Sequence, residues 1–362
     1  MSHNTQLPLA ERTNIKDWNF EGLSFGEPHT SCGTNHTPEN AKNFITIMDG
    51  QIVKQALCAE ITTEQKGIAV IGEINKLTEL NQANVNSTLT VNIAKNAVVT
   101  DPLYITYVAC GRSLVQQVEL NIGDGAEVSI VERFVAKKQY SHNHINKTNV
   151  GANAKLNAAV IHNVDGNGTV YYHRHSELSA DASLETTNFV LNNSDYVFED
   201  FTHLVGKGAE ANVATVSIAT ASQKQNLTIR MENLAPHAVG NIVNYGIVQD
   251  NAHLAFNGVG KIHKHMNGGD NQQETRVLNL SRTAEAIANP FLLIDEGDIT
   301  AGHAATIGQI DEEQVYYLQS RGLSKAEAEK LIVSGFLAPF ADIIADETLK
   351  QQLLDNIEAK LG

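Results

Sequence analysis

The chain has 362 residues, of which 42% are apolar and 19% are charged, and its net charge is −15. This size and balance predict a globular protein with one large core or two ordinary domains, and they exclude an intrinsically disordered chain. The negative charge argues against nucleic acids and anionic membrane surfaces as partners, because both would repel it.

The N-terminal region, residues 1–43, is polar and contains the single tryptophan, so we interpret it as an extended arm that Trp18 anchors by packing. It has no apolar segment like that of a signal peptide, and no apolar run long enough to span a membrane occurs in the sequence. The three cysteines, Cys32, Cys58 and Cys110, are too few and too unevenly spaced for a disulfide framework. These features predict a protein of the reducing cytoplasm.

Short strand-like segments follow one another from residue 44 to residue 295, and many alternate apolar and polar residues with the period of a half-buried strand. Turn-forming clusters of Gly, Asn and Asp separate them, and no proline occurs between Pro102 and Pro236. Alanines that open these segments recur every 27 to 29 residues, and one longer step of 43 residues follows. The series is Ala97, Ala126, Ala154, Ala182, Ala209 and Ala252.

A repeat of strand-forming units predicts a solenoid in which each coil stacks on its neighbours. The units have the period of strands, which favours a right-handed parallel β-helix with the alanines at its tight corners. We therefore predict a mainly β fold, with the β-helix core at residues 44–305. Chance recurrence of a common turn residue is the simpler alternative, but five units in register favour the repeat.

The last segment, residues 306–362, has helical periodicity and is predicted to form a small C-terminal helical domain. Asp311 caps the first helix and Gly322 ends it, while Ser324 opens a second helix that finishes before Pro339. The apolar stripes of these helices fit packing within the protein and docking of a partner about equally well.

Three His-x-His pairs could each hold a metal ion from one face of a strand. The pairs are His142/His144, His173/His175 and His263/His265. We expect them instead to be ordinary histidines on the solvated faces of strands. The sequence contains no nucleotide-binding loop, no nucleophile elbow and no clustered carboxylate pair, so we predict neither a catalytic site nor nucleotide binding by this chain.

A further candidate is His303, which lies between Gly302 and Ala304 and is therefore unshielded by large neighbours. Asp295 and Asp298 lie upstream and could share a cation with it. One imidazole cannot hold a metal ion tightly, so His303 would need further ligands from a second chain. We consider His303 to be one half of an interfacial metal site.

Four ungapped motifs surround this histidine in the last third of the chain. They are FNGxGKI from residue 256, NPxLxI from residue 289, DIxxGHxATIGQID from residue 298 and YLxSRGLS from residue 317. Over the region from Asn251 to Gly335, the sequence resembles the SufB/SufD family of iron–sulfur cluster assembly proteins. The preceding solenoid resembles the β-helix core of that family more loosely.

The resemblance implies a scaffold and not an enzyme, in a complex where SufB pairs with SufD and the SufC ATPase binds the C-terminal helical domain. A transient iron–sulfur cluster, or iron, would occupy the subunit interface, and His303 matches the interfacial histidine of SufD. Family members often have a cysteine where this chain has Ala301, which leaves His303 as the sole candidate ligand. No cysteine follows Cys110, and this absence points to the SufD branch, because SufB-type chains carry a C-terminal cysteine.

The same resemblance implies that the SufC-like ATPase contacts the first C-terminal helix. The contact residues it implies are Tyr316, Tyr317, Leu318, Ser320, Arg321 and Gly322. Two other interpretations stay open: a carbohydrate-active β-helix enzyme, and a homodimeric metal-binding protein that uses the His-x-His pairs. The sequence also permits a homodimer when the SufD-like chain is alone.

Overall fold

The computed structural model describes residues 41–68, 75–136, 141–164, 168–341 and 347–361, together with Leu23 and Pro28. Trp18 and most of the N-terminal arm lie outside these residues. The strands are β1 (Asn43–Met48), β2 (Gln51–Ala56), β3 (Ile61–Glu64), β4 (Ser87–Ile93), β5 (Leu103–Ala109), β6 (Leu114–Ile122), β7 (Glu127–Ala136), β8 (His142–Val150), β9 (Lys155–Val164), β10 (Thr169–Leu178), β11 (Ser183–Val190), β12 (Asp195–Leu204), β13 (Glu210–Ala219), β14 (Lys224–Asn233), β15 (Val239–Val248), β16 (His253–Ile262), β17 (Gly269–Asn279), β18 (Glu285–Ile294) and β19 (Ile299–Gln309). The helices are α1 (Lys76–Asn84), α2 (Glu312–Ser320), α3 (Lys325–Ala341) and α4 (Glu347–Leu361).

The strands form two long sheets, and from β4 onward the chain alternates between them. Sheet A has the order β19-β17-β15-β13-β11-β9-β7-β5-β1-β2, and sheet B has the order β18-β16-β14-β12-β10-β8-β6-β4-β3. At one end of sheet A, β2 pairs antiparallel with β1, and at the corresponding end of sheet B, β3 pairs antiparallel with β4. The other pairings are parallel and join strands one coil apart. This topology confirms the predicted parallel β-helix.

The corners of the coils explain the alanine repeat. Ala126, Ala154, Ala182 and Ala209 are each at most 1% exposed. Each of them follows a Gly, Asn or Asp with a positive φ, because the left-handed turn before the corner favours these residue types. The repeat therefore combines a left-handed turn residue with a methyl group buried behind it.

The series continues at Ala238 and not at Ala252. Ala238 is fully buried, follows His237 at a φ of 57°, and precedes β15 of sheet A. Ala252 instead precedes β16, which belongs to sheet B. The predicted 43-residue step from Ala209 to Ala252 therefore linked a corner that precedes a strand of sheet A to a corner that precedes a strand of sheet B.

The space between the sheets is filled mainly by apolar side chains, and large rings such as Tyr172 and Phe198 are fully buried there. Each large apolar side chain buried in this way contributes about 1.5–3 kcal/mol to folding. Side-chain amides also stack from coil to coil on the outer face of sheet B, where Asn289 donates to Asn257 at 3.0 Å and Asn257 donates to Asn226 at 2.9 Å. Stacking of neighbouring coils is therefore what holds the rod together.

Helices α3 and α4 pack against the outer face of sheet A. The ring of Tyr245 on β15 lies 4.8 Å from that of Phe336 and 4.7 Å from that of Phe340, measured between centroids. Leu353 and Ile357 of α4 are buried in the same cluster. The apolar stripes of these two helices are therefore used within the protein.

The C-terminal helices begin and end at the predicted signals, except at Pro339. Gly322 follows α2 with a φ of 99°, and Ser324 and Glu327 exchange hydrogen bonds at the start of α3. The predicted stop before Pro339 is wrong, because α3 continues through it to Ala341. Pro339 lies two residues before that end, so it removes one helical hydrogen bond without interrupting a long helix.

The cysteines Cys58 and Cys110 are in different chemical states. Cys58 is a half-buried free thiol, and burial together with a hydrogen bond to Glu60 raises its pKa. Cys110 forms a disulfide, which is an exception to the prediction that the sparse cysteines build no disulfide framework. The cytoplasmic location inferred from the cysteines stays a prediction.

Candidate functional site

The end of the rod formed by β18 and β19 is open. These two strands end their sheets, and no strand of the described residues pairs with the outer edge of either. A free edge offers unpaired backbone N–H and C=O groups that can recruit another strand. At the opposite end, the antiparallel strands β2 and β3 take the corresponding positions. Both ends therefore have free strand edges among the described residues, and the end formed by β18 and β19, here called the open end, is the one where the edge strands continue the parallel pairing.

His303 lies on this end strand at a position that faces the interior of the β-helix. It is in register with Gln273 on β17, which is in register with the core residue Ile242 on β15. Residues in register on parallel strands occupy the same face of the sheet. In the described chain no further coil lies above His303, so its ring is exposed, whereas Gln273 one coil below is 5% exposed.

The neighbours of His303 on this inward face are small or apolar. Ala301 and Ala305 lie two residues away on β19, and Ile307 is 46% exposed. On β18, Leu292 is in register with Gly260 of the coil below. The end of the rod thus presents one imidazole on a surface whose other inward-facing residues are small and apolar, like those of the protein core.

A single imidazole supplies one ligand atom to a metal ion. The residues that the structure describes contain one cluster of three metal-ligating side chains, and His303 is not part of it. Among the described residues, no such cluster therefore supplies further ligands to an ion or cluster at His303. The half-site expected from the sequence stays a prediction.

A second exposed surface lies on α2, which begins shortly after β19. Tyr316 and Tyr317 are 74% and 55% exposed, and Leu331 of the adjacent α3 is 53% exposed. The guanidinium of Arg321 lies over the Tyr317 ring, 5.2 Å from its centroid. Tyrosine and arginine often dominate the binding energy of protein interfaces. The other predicted contact residues on this helix and its terminal turn are Leu318, Ser320 and Gly322.

The first His-x-His pair lies inside the β-helix, so the prediction of solvated positions is wrong for it. His142 and His144 are 2% and 1% exposed. The ring of His144 stacks on Tyr172 at 5.1 Å and meets Phe134 edge-on at 4.9 Å. Burial lowers the pKa of His142 to about 4 and that of His144 to about 3, so both rings are neutral near pH 7.

The other two pairs also differ from solvated strand histidines. His173 and His175 lie on the outer face of sheet B but are covered, at 0% and 3% exposed. His263 and His265 follow β16 in a turn, where the alternation of faces along a strand does not apply. None of the three pairs therefore lies on a solvated strand face, and the two-histidine metal grip suggested as an alternative stays a prediction.

The one three-residue cluster of metal-ligating groups within the described residues joins two coils. It contains His175 and Glu177 of β10 and His203 of β12. Sequence reasoning missed it because it compared histidines two residues apart. The signal that could have found it is the 26-residue separation of Glu177 and His203, which is the length of the coil between β10 and β12.

The sequence was also compared with those of known proteins. Residues 106–336 match the family model described as the SufBD core domain of the SUF system for FeS cluster assembly. The chain belongs to the SufB/SufD family. It is similar to the iron–sulfur cluster assembly protein SufD of Bacillus subtilis, with 35% identity over 293 residues that cover 79% of this chain and 67% of the relative. It is also similar to SufD of Escherichia coli, with 27% identity over 244 residues that cover 67% of this chain and 58% of the relative.

These relatives confirm the SufD branch, and the family confirms a role in iron–sulfur cluster assembly. No helix among the described residues has the length and apolarity needed to cross a membrane. The ligand role of His303, the partner-binding role of α2 and the limits of the three predicted domains stay predictions.

Proposed function

We propose that this chain is a non-enzymatic scaffold subunit that presents His303 to a nascent iron–sulfur cluster at an interface with a SufB-like subunit. The observation that carries the proposal is the exposed His303 ring at an inward-facing position of the end strand β19. A partner whose strands continue the sheets beyond the open end would bring its own ligands to this imidazole. The cluster is cargo in this scheme and is passed on after assembly.

The same proposal assigns the α2 surface to a SufC-like ATPase. Only Ile310 and Asp311 separate the end of β19 from the start of α2. A force applied to α2 would therefore reach the strand that carries His303 over a very short connection. ATP binding and hydrolysis by the ATPase would then open and close the interface, while this chain itself binds no nucleotide.

The arrangement of two adjacent acids supports the scaffold over a carbohydrate-active enzyme. Glu199 and Asp200 are adjacent on β12 and point to opposite faces of that strand. Glu199 accepts a hydrogen bond from Tyr171 at 2.7 Å on the outer face, and Asp200 accepts one from Arg174 Nε at 3.1 Å inside the rod. Glycoside hydrolysis needs two carboxylates that face each other across a substrate cleft, which this pair does not provide.

The test is cluster loading of the complex that the chain forms with a SufB-like subunit and a SufC-like ATPase. We expect His303→Ala to leave the complex intact and to lower its iron and acid-labile sulfide content by about tenfold or more, because one ligand of the cluster is removed. Size-exclusion chromatography reports assembly, and iron and sulfide assays on the same fractions report loading.

The matched control is His265→Asn, which removes another exposed histidine from a turn near the same end. Asparagine is chosen because the φ of His265 is 71°, and this left-handed conformation would strain alanine. We expect normal cluster loading in this variant. Full loading of the His303→Ala complex would contradict the proposed role of the histidine.

A further inference from the structure

Three side chains on the outer face of sheet B form a group separate from the end of the rod. His175 and Glu177 lie two residues apart on β10, and His203 on β12 is in register with Glu177. Because alternate residues of a strand point to one face, the three side chains share the outer surface. One ligand atom from each residue lies within 4.8 Å of the other two, so a single ion can reach all three groups.

The imidazole of His175 is held in place with one nitrogen unused. Its side chain is 4% exposed, its Nε2 lies 3.3 Å from Oε1 of Glu177, and its Nδ1 is buried without a hydrogen-bond partner. The ring of His203 meets it edge-on, with the centroids 4.5 Å apart. A buried polar atom without a partner is costly and calls for a functional explanation, which a bound cation would supply.

Both imidazoles can offer a nitrogen lone pair to a cation without first losing a proton. Burial, followed by the neighbouring His175, lowers the pKa of His203 to about 4. Burial also lowers the pKa of His175, against the opposing effect of Glu177. Metal binding to histidine requires the neutral ring, and here that form already prevails near pH 7.

The fixed charges around the group balance one another. Glu119, Glu177 and Glu232 carry three negative charges, and Lys147, Arg230 and Lys261 carry three positive charges. Lys147 lies 3.8 Å from Glu119, Arg230 pairs with Glu232, and Lys261 is in register with Glu232. Glu177 is the carboxylate that lies next to the His175 ring, so its negative charge is the one placed directly against an ion.

We propose that His175, Glu177 and His203 bind a divalent transition-metal ion on the outer face of the β-helix. Two imidazoles and one carboxylate suit ions such as Zn²⁺ and Fe²⁺, whereas Mg²⁺ and Ca²⁺ prefer sites made of oxygen ligands. The side chains of Glu177 and His203 are 43% and 24% exposed, so the ion can enter from solvent and water can complete its coordination. Glu232 Oε1 lies 3.9 Å from Nε2 of His203, which is beyond hydrogen-bond distance, so it acts on that ring through its charge alone.

This site lies on sheet B, whereas His303 lies at the edge of sheet A. It is independent of the proposed scaffold function, and its failure would leave that function untouched. The test is metal binding by the untagged, metal-free full chain, with Co²⁺ as the probe because its protein-bound form absorbs visible light. We expect one bound Co²⁺ ion, displaced by Zn²⁺ but not by excess Mg²⁺. His203→Ala and Glu177→Gln should each weaken Co²⁺ binding by about tenfold or more.

Two control variants should bind Co²⁺ like the unchanged chain. His253→Ala removes a histidine of sheet B whose Nδ1 lies 3.1 Å from Glu285. His303→Ala removes the histidine at the end of the rod. Circular dichroism checks that each variant is folded. If His203→Ala does not fold, Co²⁺ binding by Glu177→Gln, a change at a half-exposed residue, provides the test. The proposal is overturned if the chain binds no stoichiometric Co²⁺, if the folded variants of the site bind normally, or if His303→Ala is the variant that loses the ion.

Discussion

At the scale of single residues, the histidines inside the rod act as aromatic packing groups. His142, His144 and His162 are each at most 2% exposed. Both nitrogens of His142 and His162, and Nε2 of His144, have no hydrogen-bond partner. A neutral imidazole tolerates this environment, but a protonated ring would be a buried charge without a partner. The rod is therefore built to contain these histidines only in their neutral form.

The stability of the chain should fall as the pH drops from about 6.5 towards 4. The unfolded histidines have a pKa near 6.5, whereas the folded pKa is about 4 for His142 and about 3 for His144. Between these values the unfolded state binds more protons, so acidification favours unfolding by up to about 1.4 kcal/mol per pH unit for each such histidine. Urea unfolding followed by circular dichroism at a series of pH values measures this slope.

One neighbouring carboxyl opposes the effect. Burial raises the pKa of Glu132, although Tyr107 donates to its carboxylate at 2.9 Å, so the folded state gains a proton there as the pH falls. Three histidines outweigh one carboxyl, and the net slope keeps its sign. His144→Phe should flatten the pH dependence, whereas the partly exposed His253→Ala should not. A midpoint that stays constant or rises on acidification would refute this explanation.

At the scale of elements, α2 differs from α3 and α4. The latter two bury their apolar stripes on sheet A through residues such as Val333 and Leu353, which are each 1% exposed. In contrast, α2 buries only Val315 and leaves Tyr316 and Tyr317 in solvent. Helices α3 and α4 therefore hold α2 against the rod with a face still available for a partner.

Tyr317→Ala should weaken binding of the SufC-like ATPase about 30-fold, the effect of losing a hot spot worth about 2 kcal/mol. Its ring is 55% exposed, so the free energy of unfolding of the isolated chain should change by less than about 0.5 kcal/mol. Val205→Ser, at an exposed apolar residue of the β-helix, is the matched control. Calorimetric titration of each variant with the ATPase gives the comparison, and equal affinities would remove α2 from the interface.

Sequence reasoning recognised the elements whose pattern follows solvent exposure. Strands such as β5 and β7 carry apolar residues at inward positions and were found. In β8 (His142–Val150) the inward positions before Val150 hold histidine, asparagine and threonine, and in β19 (Ile299–Gln309) two of the six inward positions are alanine and two are polar. Neither segment therefore shows the apolar alternation of a strand. Helix α1 was also missed, because only Leu77 among its apolar residues is fully buried.

The candidate sites were predictable to different degrees for a related reason. His303 was found because a long local motif surrounds it. The cluster of His175, Glu177 and His203 was not found, because it forms only when the register between two coils is known. The His142/His144 pair was assigned to the surface, because the sequence does not say which face of a strand points inward when polar residues occupy both.

At the scale of the whole molecule, the rod has two unlike ends. At one end the edge strands are the antiparallel β2 and β3, whereas at the other the edge strands are the parallel β18 and β19, which present a surface of core composition. A second chain with a similar open end could pair there, which accommodates a SufB-like partner and, when the chain is alone, a second copy. A partner that pairs with the outer edges of β18 and β19 would approach along the axis of the rod, because α3 and α4 lie to one side, on sheet A.

Amide hydrogen exchange with and without the SufB-like subunit tests this assignment of the interface most directly. At a concentration where the isolated chain is monomeric, we expect the outer-edge amides of β18 and β19 to exchange rapidly. In the complex their exchange should slow by about tenfold or more, since they gain hydrogen-bond partners, while β2 and β3 keep their rates. Unchanged exchange in β18 and β19, with protection appearing at β2 and β3, would contradict it.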